Sequence, residues 1–345
     1  MSTNGRKVGI REVASAAGVS VTTVSHALNG KGRLPAETRE HVRRIAEELA
    51  YRPSVAARNL GGGRTGMLGL VISQPSGISA PFSDFAYFTQ LMMAASTAAV
   101  KAGYALVLTP PAHGLGESAG VVVDGAIVID PVAGDPLIEQ LLESEVPLVT
   151  TGRILDEPEP HPWVDNDHIA GANSVLNHLA RRGARRIALM TSPTVMSYTF
   201  DVESAYRTWC TDHTVKPLVT QVRADLTETA GYSAASQLFA MPARPDAIYA
   251  TYDRLGVGAL LAARAAGIAV PDDLLIAVTA TESGSARSSR PSLTGLSLHP
   301  DQIGQRAADL LIELIEGRRP KSTHITVPTR LISRTSTRRR RAAIS

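Results

Sequence analysis

The sequence predicts an α + α/β chain: an amino-terminal three-helix headpiece built on a helix-turn-helix, a short hinge helix, and then a two-lobed α/β core. Three observations carry this expectation. Residues 10–50 show helical periodicity broken by tight turns, residues from Met67 onward show short apolar runs alternating with amphipathic stretches, and a proline-rich segment splits that second region into two similar series.

The headpiece begins at Ile10. Val13, Ala14 and Ala17 repeat at helical spacing and face Val24 and Leu28 of a second helix, while Gly18 supplies the permissive backbone of the turn between them. Ser20 stands where an N-cap belongs. Counting from it, Val21, Thr22, Ser25 and His26 fall on one stripe, the face that a recognition helix presents to base edges in the major groove of DNA. A third helix over residues 36–50 brings Val42, Ile45, Ala46 and Leu49 to close the core, with Pro35 at its mouth and Tyr51-Arg-Pro53 as its stop. Residues 54–60 then form a short alanine-rich helix behind a serine cap, followed by Gly61-Gly62-Gly63. A helix this short is marginal in water and orders when packed against DNA and a second copy of itself.

Charge agrees with this placement. Residues 1–66 hold eleven Lys and Arg against five Glu, and the tail from Arg334 adds five arginines and no acid, so a chain of net charge +3 is basic at its ends and acidic between them. A basic headpiece suits a phosphate polyanion through counterion release, whereas a basic carboxyl-terminal run is read as a solvated end. The 44% hydrophobic content over 345 residues suffices for two or three cores, and no apolar run is long enough to span a membrane. A polar amino end and the single Cys210 are expected of a protein of the reducing cytoplasm.

In the core, strands are expected at 68–73, 105–109, 125–129 and 148–151, with a helix over 83–102. A second series of strands follows at 187–191, 218–222, 247–250 and 275–279, alternating with helices near 170–182, 205–213, 227–240 and 255–266. The segment Glu157-Pro-Glu-Pro-His-Pro162 is a natural crossing between the two. Two such lobes form a cleft at the carboxyl ends of their strands.

Catalytic signatures are lacking: there is no Gly-x-Ser-x-Gly elbow, no His-Glu-x-x-His and no cysteine pair for zinc, so neither enzyme activity nor a metal or cofactor is expected. Gly256-Val-Gly258 lacks a third glycine and reads as a site of close helix packing. His41, His161, His168, His178, His213, His299 and His324 share no ligand spacing and read as surface or packing residues.

The run from Ile10-Arg-Glu-Val-Ala14 through Gly18-Val-Ser20, Thr23-Val-Ser25, Leu28-Asn29, Glu37-Thr38-Arg39, Tyr51, Pro53, Ala57-Arg58 and Leu60 resembles the LacI/GalR family of transcriptional regulators. The resemblance extends over nearly the whole chain through Val164-Asp-Asn-Asp167, Arg185-Arg-Ile-Ala188, Pro245-Asp-Ala247, Pro271-Asp-Asp273 and Pro328-Thr-Arg330. It implies a periplasmic-binding-protein-like core and assigns roles: Val21, Thr22 and His26 read bases; Thr23, Ser25, Asn29, Thr38 and Arg39 touch phosphates; Ala57, Arg58 and Leu60 enter the minor groove. The implied domains are a headpiece at 1–53, a hinge at 54–66, an effector and dimerisation core at 67–334 and a basic tail at 335–345. Lobe 1 then comprises about 67–163 plus 293–322, and lobe 2 about 164–292 plus 323–334. The stretch 110–120 is shorter and richer in glycine than the helix usual there.

The function implied is that of a sequence-specific, ligand-responsive repressor binding a palindromic operator on double-stranded DNA as a homodimer. The absence of a leucine heptad before Ser345 argues against a tetramerising coiled coil. The alternative is a non-catalytic receptor or enzyme core with an unrelated helical domain. Sugar-binding members carry Arg at the position of Val202, Asn at Tyr252 and Asp at Thr281, so those clamps are replaced here. Asp165 and Asp253 remain, and Tyr198 and Tyr252 with Phe82 and Phe85 line a cleft for a flatter, less hydroxylated effector, or else simply pack the lobes. Common free monosaccharides are expected not to bind.

Overall fold

The computed structural model describes residues 8–29, 34–49, 51, 64–73, 86–109, 122–132, 134–143, 146–155, 161–222, 226–279 and 284–338. Two compact units divide the chain, residues 1–65 and 66–345.

The first unit holds α1 (Ile10–Ala17), α2 (Val21–Asn29) and α3 (Ala36–Glu48). Its core is Val13, Ala14, Ala17, Val24, Ala27, Val42 and Ala46, with Leu28, Ile45 and Leu49 at the margin. Gly18 ends α1 at φ 66°, and its N–H and that of Val19 satisfy the last α1 carbonyls. Ser20 caps α2, its Oγ accepting from Thr23 N at 3.0 Å.

The second unit is built on two six-stranded sheets. The first is formed by β1 (Met67–Ile72), β2 (Ala105–Thr109), β3 (Gly125–Ile129), β4 (Leu148–Thr151), β5 (Trp163–Asn166) and β11 (His324–Val327), in the order β11-β5-β4-β3-β1-β2 and parallel throughout. Helices α4 (Ala86–Lys101), α5 (Pro136–Glu143) and α11 (Pro300–Ile315) cover it, burying β3 completely. The second sheet contains β6 (Ile187–Thr191), β7 (Val219–Gln221), β8 (Ala247–Ala250), β9 (Leu275–Thr279), β10 (Thr294–Ser297) and β12 (Arg330–Ile332), in the order β12-β10-β9-β8-β6-β7. Only β12 among these runs antiparallel to its neighbour. Around it lie α6 (His168–Arg181), α7 (Ser197–Asp212), α8 (Glu228–Phe239), α9 (Asp253–Ala265) and α10 (Gly284–Ser288). Parallel sheets covered on both faces need strands that are apolar on both sides, which explains the unbroken apolar runs of β3, β6 and β9.

Three lobe assignments read from the sequence are corrected by strand pairing. Residues 164–166 belong to the first sheet as part of β5, residues 324–327 join it as β11, and residues 294–297 join the second sheet as β10. Each crossing therefore comes after a strand that the sequence reading placed beyond it. The carboxyl end is also more ordered than a solvated tail starting at 335. Ser336 and Thr337 are buried, with Ser336 Oγ accepting from Thr294 N at 2.8 Å and donating to Ile276 O at 2.6 Å. That docking fastens the end of the chain onto the second sheet. Residues 110–120 lie outside the described residues.

Gly256 and Gly258 are packing glycines. A Cβ on Gly258 would lie 2.1 Å from Glu228 O, and one on Gly231 would lie 2.4 Å from Leu255 O, so α8 and α9 meet backbone to backbone. Alanine in a helix interior is ordinarily favoured over glycine by about 1 kcal/mol. Here overpacking outweighs that gain, and Gly258→Ala is expected to lose about 1–3 kcal/mol of stability in urea unfolding, the usual cost of forcing extra volume into a packed core.

Candidate functional site

In the first unit, burying Val24 and Ala27 turns the opposite side of α2 outward. Val21 is 42% exposed, Thr22 is exposed, and Ser25 and His26 are half-buried on the same face. Thr23 is drawn back to the cap, its Oγ1 2.8 Å from Ser20 Oγ. Thr38 and Arg39 sit in the first turn of α3, half-buried. The Asn29 side chain and all of Ala57, Arg58 and Leu60 lie outside the described residues.

In the second unit, polar groups collect where the strands of both sheets end. Asp130 follows β3, Arg153 follows β4, Asp165 lies within β5, and Tyr252 follows β8. The first turns of α6 and α7 add His168, Ser197, Tyr198 and Asp201. Arg153 is the hub: its Nε donates to Asp165 Oδ2 at 3.1 Å, its Nη2 donates to Asp201, and its backbone N–H donates to Ser197 Oγ at 3.3 Å. His168 Nε2 lies 2.8 Å from Asp165 Oδ1, which also accepts from Asn166 N at 2.7 Å. Because Arg153 and Asp165 stand in the first lobe and Asp201, Ser197 and His168 in the second, these contacts join the lobes across the cleft.

Aromatic rings form one wall. Tyr198 lies 5.0 Å from the His168 ring and 5.9 Å, edge-on, from Tyr252, and its hydroxyl donates to Thr251 O. The structure therefore brings Asp165, Tyr198 and Tyr252 together. Asp253 is buried at the start of α9, accepting from Arg254 N at 2.8 Å and from Ser285 Oγ at 3.5 Å. Phe82, Phe85 and Thr281 lie outside the described residues. Sequence reasoning missed Asp130, Arg153, His168 and Asp201. The available signal was position: Asp130 directly follows a buried apolar run, Arg153 stands two residues past another, and ligands gather at the carboxyl ends of parallel strands.

Asp130 and Asp165 titrate in opposite senses. Burial, then the charge of Asp165, raises the Asp130 carboxyl from 3.8 to about 7, with His168 opposing. Burial also resists the charge of Asp165, but His168, Arg153 and the Asn166 N–H outweigh it and hold that carboxyl below its ordinary value. A raised acid binds more protons folded than unfolded, so its contribution to stability declines as pH rises from 3.8 to about 7 and is level above. A depressed one contributes above its unfolded value and is lost as pH falls through the folded one. Melting curves of wild type and Asp130→Asn across this range are expected to shift progressively in favour of the variant, and then run parallel above about pH 7.

Comparison with known proteins follows the same division. Residues 9–54 match the family described as bacterial regulatory proteins, lacI family, and residues 176–337 match a periplasmic binding protein-like domain. The chain is 31% identical to the HTH-type transcriptional regulator CelR of Thermobifida fusca, over 96% of this chain and 98% of that protein. It is 29% identical to the HTH-type transcriptional repressor PurR of Escherichia coli, over 95% and 96%. Among solved structures, a CelR–cellobiose complex superposes with a TM-score of 0.70 at 28% identity, covering 95% of this chain and 99% of that one. The Lac repressor dimer bound to operator and the anti-inducer ONPF gives 0.79 at 22% identity, covering 96% and 99%. Full-length identity to such a regulator, with a matching amino-terminal domain, shows that the chain belongs to the LacI family of bacterial regulatory proteins.

Proposed function

We propose that this protein is a ligand-responsive transcriptional repressor of the cytoplasm that binds a palindromic operator as a homodimer and catalyses no reaction. The observation that carries this reading is the α2 face, where Val21 and Thr22 are exposed and Ser25 and His26 half-buried beside them on a helix anchored by Val24 and Ala27. Among the described residues, no helix is long and apolar enough to cross a membrane. Domain roles follow the family: a headpiece at 1–53, a hinge at 54–66 and an effector and dimerisation core beyond. Val21, Thr22 and His26 read base edges, with Thr23, Ser25, Asn29, Thr38 and Arg39 on phosphates. The hinge residues Ala57, Arg58 and Leu60 enter the minor groove, where an inserted leucine unstacks a base step and bends the duplex.

The effector site is the cleft lined by Asp165, Tyr198 and Tyr252, and the family resemblance assigns Phe82, Phe85, Asp253 and Thr281 to the same site. Support comes from the position of the first three at the strand ends of both lobes, and from relatives whose complexes hold cellobiose or ONPF. A flat, sparsely hydroxylated effector fits the tyrosine wall.

Genome-wide mapping of bound sites tests the reading directly: a palindromic motif is expected, and retardation of all DNA alike would refute it. Once the motif is known, His26→Ala is expected to relax one symmetric pair of positions by about 1–3 kcal/mol, the range for a good base contact. Arg39→Ala is expected instead to weaken all sequences evenly and to reduce the salt dependence of binding. Leu60→Ala should keep the headpiece folded while losing operator bending and affinity, which circular-permutation retardation assays resolve.

A further inference from the structure

The hydrogen bonds of the cleft are unevenly satisfied. Nε2 of His168 faces a carboxylate oxygen and so carries the ring hydrogen, leaving Nδ1 of the neutral ring as an acceptor. That Nδ1 is buried, in a residue only 5% exposed, and has no hydrogen-bond partner among the described residues. Thr151 Oγ1 is likewise buried and unpartnered, beside the backbone carbonyl that accepts from Asp130 N at 2.8 Å. The Asp130 carboxylate makes no hydrogen bond or ion pair among the described residues. Its backbone is at φ 49°, in the left-handed region that non-glycine residues seldom adopt and aspartate tolerates better than most.

His168 Nδ1 and the ionised Asp130 carboxylate lack a donor, and the Thr151 hydroxyl lacks a partner of either kind. Buried polar atoms are normally paired, so two orphans beside an unpaired carboxylate mark a place where a ligand completes the network. Charge narrows the choice. Asp165 and Asp201 share one permanent cation, Arg153, so Asp130, when ionised beside Asp165, adds a negative charge that has no ion pair among the described residues. A neutral hydroxyl would fill the hydrogen bonds and leave this excess of negative charge; a cation answers both. Among the described residues, no group of three or more His, Cys, Asp or Glu could hold a metal ion. The nearby wall is aromatic, with Tyr198 and Tyr252 edge to face, and ring faces attract organic cations.

We propose that the cleft takes a small organic ammonium ion with a flat or apolar body, its nitrogen donating to Asp130 and His168 Nδ1 and its body lying against Tyr198 and Tyr252. This deepens the repressor reading and rests on it for the identification of the cleft as the effector site. The ligand would span the lobes, since Asp130 leaves the first sheet while His168, Tyr198 and Tyr252 belong to the second.

Binding should depend on pH. The charged and titratable groups that act on Asp130 are Asp165 of β5, His168 of α6 and Tyr252 before α9, while Arg153 and Asp201 pair with each other nearby in the same cleft. An ammonium needs Asp130 ionised, so its affinity rises with pH across the range in which that carboxyl loses its proton. Asp130→Asn is the control that assigns this pH dependence to Asp130.

Matched amine and alcohol pairs provide the test: tyramine with tyrosol, putrescine with 1,4-butanediol, and glucosamine with glucose. Each is added at millimolar concentration to the full-length protein, with melting temperature and operator retardation as readouts. At least one amine is expected to raise the melting temperature and change operator affinity while its alcohol partner does neither. Asp130→Asn should weaken that response about ten- to hundredfold, the range for a hydrogen bond to a charged group, and abolish its rise with pH. The inference is overturned if alcohols act as strongly as their amines, if no amine acts, or if Asp130→Asn leaves the response unchanged. The palindromic motif expected from genome-wide mapping stands or falls independently of these outcomes, so failure here is distinct from failure of the repressor reading.

Discussion

One side-chain amide sits where the chain passes between lobes. Asn166, the last residue of β5, donates from Nδ2 to Leu298 O at 3.0 Å and to Val327 O at 2.9 Å. Asn166, Leu298 and Val327 stand at the three passages between the sheets, so a single buried group ties all of them together. An apolar residue here would remove both bonds, each worth roughly 0.5–1.5 kcal/mol. The constraint reaches further than local stability. Asp165 precedes Asn166 and His168 follows it by two residues, so the same bonds that fix the crossings fix the carboxylate and imidazole on which the cleft is built.

From that anchor the chemistry of the cleft follows. Parallel strands end together, and the first residues beyond them have lost their sheet partners but not their enclosure by both lobes. Asp165 is paired there on both oxygens, by Arg153 on one and by His168 and the Asn166 N–H on the other, whereas Asp130 is desolvated without a hydrogen bond among the described residues. Arg153 relieves part of this by serving two carboxylates, one from each lobe, so its charge stabilises the contact between lobes as well as the fold of either. The headpiece is governed by a different constraint. With only three short helices, it buries a core of small residues, Val13, Ala14, Ala17, Val24, Ala27, Val42 and Ala46, and close approach of helices through alanine leaves α2 presented as a rigid face.

The headpiece was legible because its signals are local: a glycine turn, a serine cap and a 3.6-residue period all act within a few residues. The central strands were legible because burial on both faces makes them continuous apolar runs. The strands that cross between lobes were not. Trp163-Val-Asp-Asn166 and His324-Ile-Thr-Val327 are four residues long and carry polar groups, because one end of each enters the cleft, so their pairing depends on partners distant in sequence. The same reason hid the cleft. Tyr198 and Tyr252 stood out by residue type, whereas Asp130, Arg153 and Asp201 acquire their roles only when strand ends from both sheets converge. His168 was read as a packing residue, and it does pack against Tyr198, but its ring also bonds Asp165.

Regulation requires that the cleft favour one arrangement of the lobes over another, since a ligand shifts an equilibrium only by its differential affinity for the two states. Among the described residues, the lobes are joined by polar contacts at the cleft, Arg153 to Asp201, Arg153 N–H to Ser197 and His168 to Asp165, and by Tyr87 and Phe88 of α4, which pack against the cores of both. Polar pairs of this kind are weakened when the cleft opens and water enters, and strengthened when a ligand excludes that water. A ligand that touches groups from both lobes therefore binds the closed arrangement preferentially, and a few such contacts are enough for the 1–3 kcal/mol, or about 5- to 150-fold, that typical allosteric coupling requires. Arg153 gives that coupling its sensitivity. Its guanidinium already holds the lobes by opposing charges, so any ligand that alters the charge balance around Asp130, Asp165 and Asp201 acts directly on the bond that keeps them together.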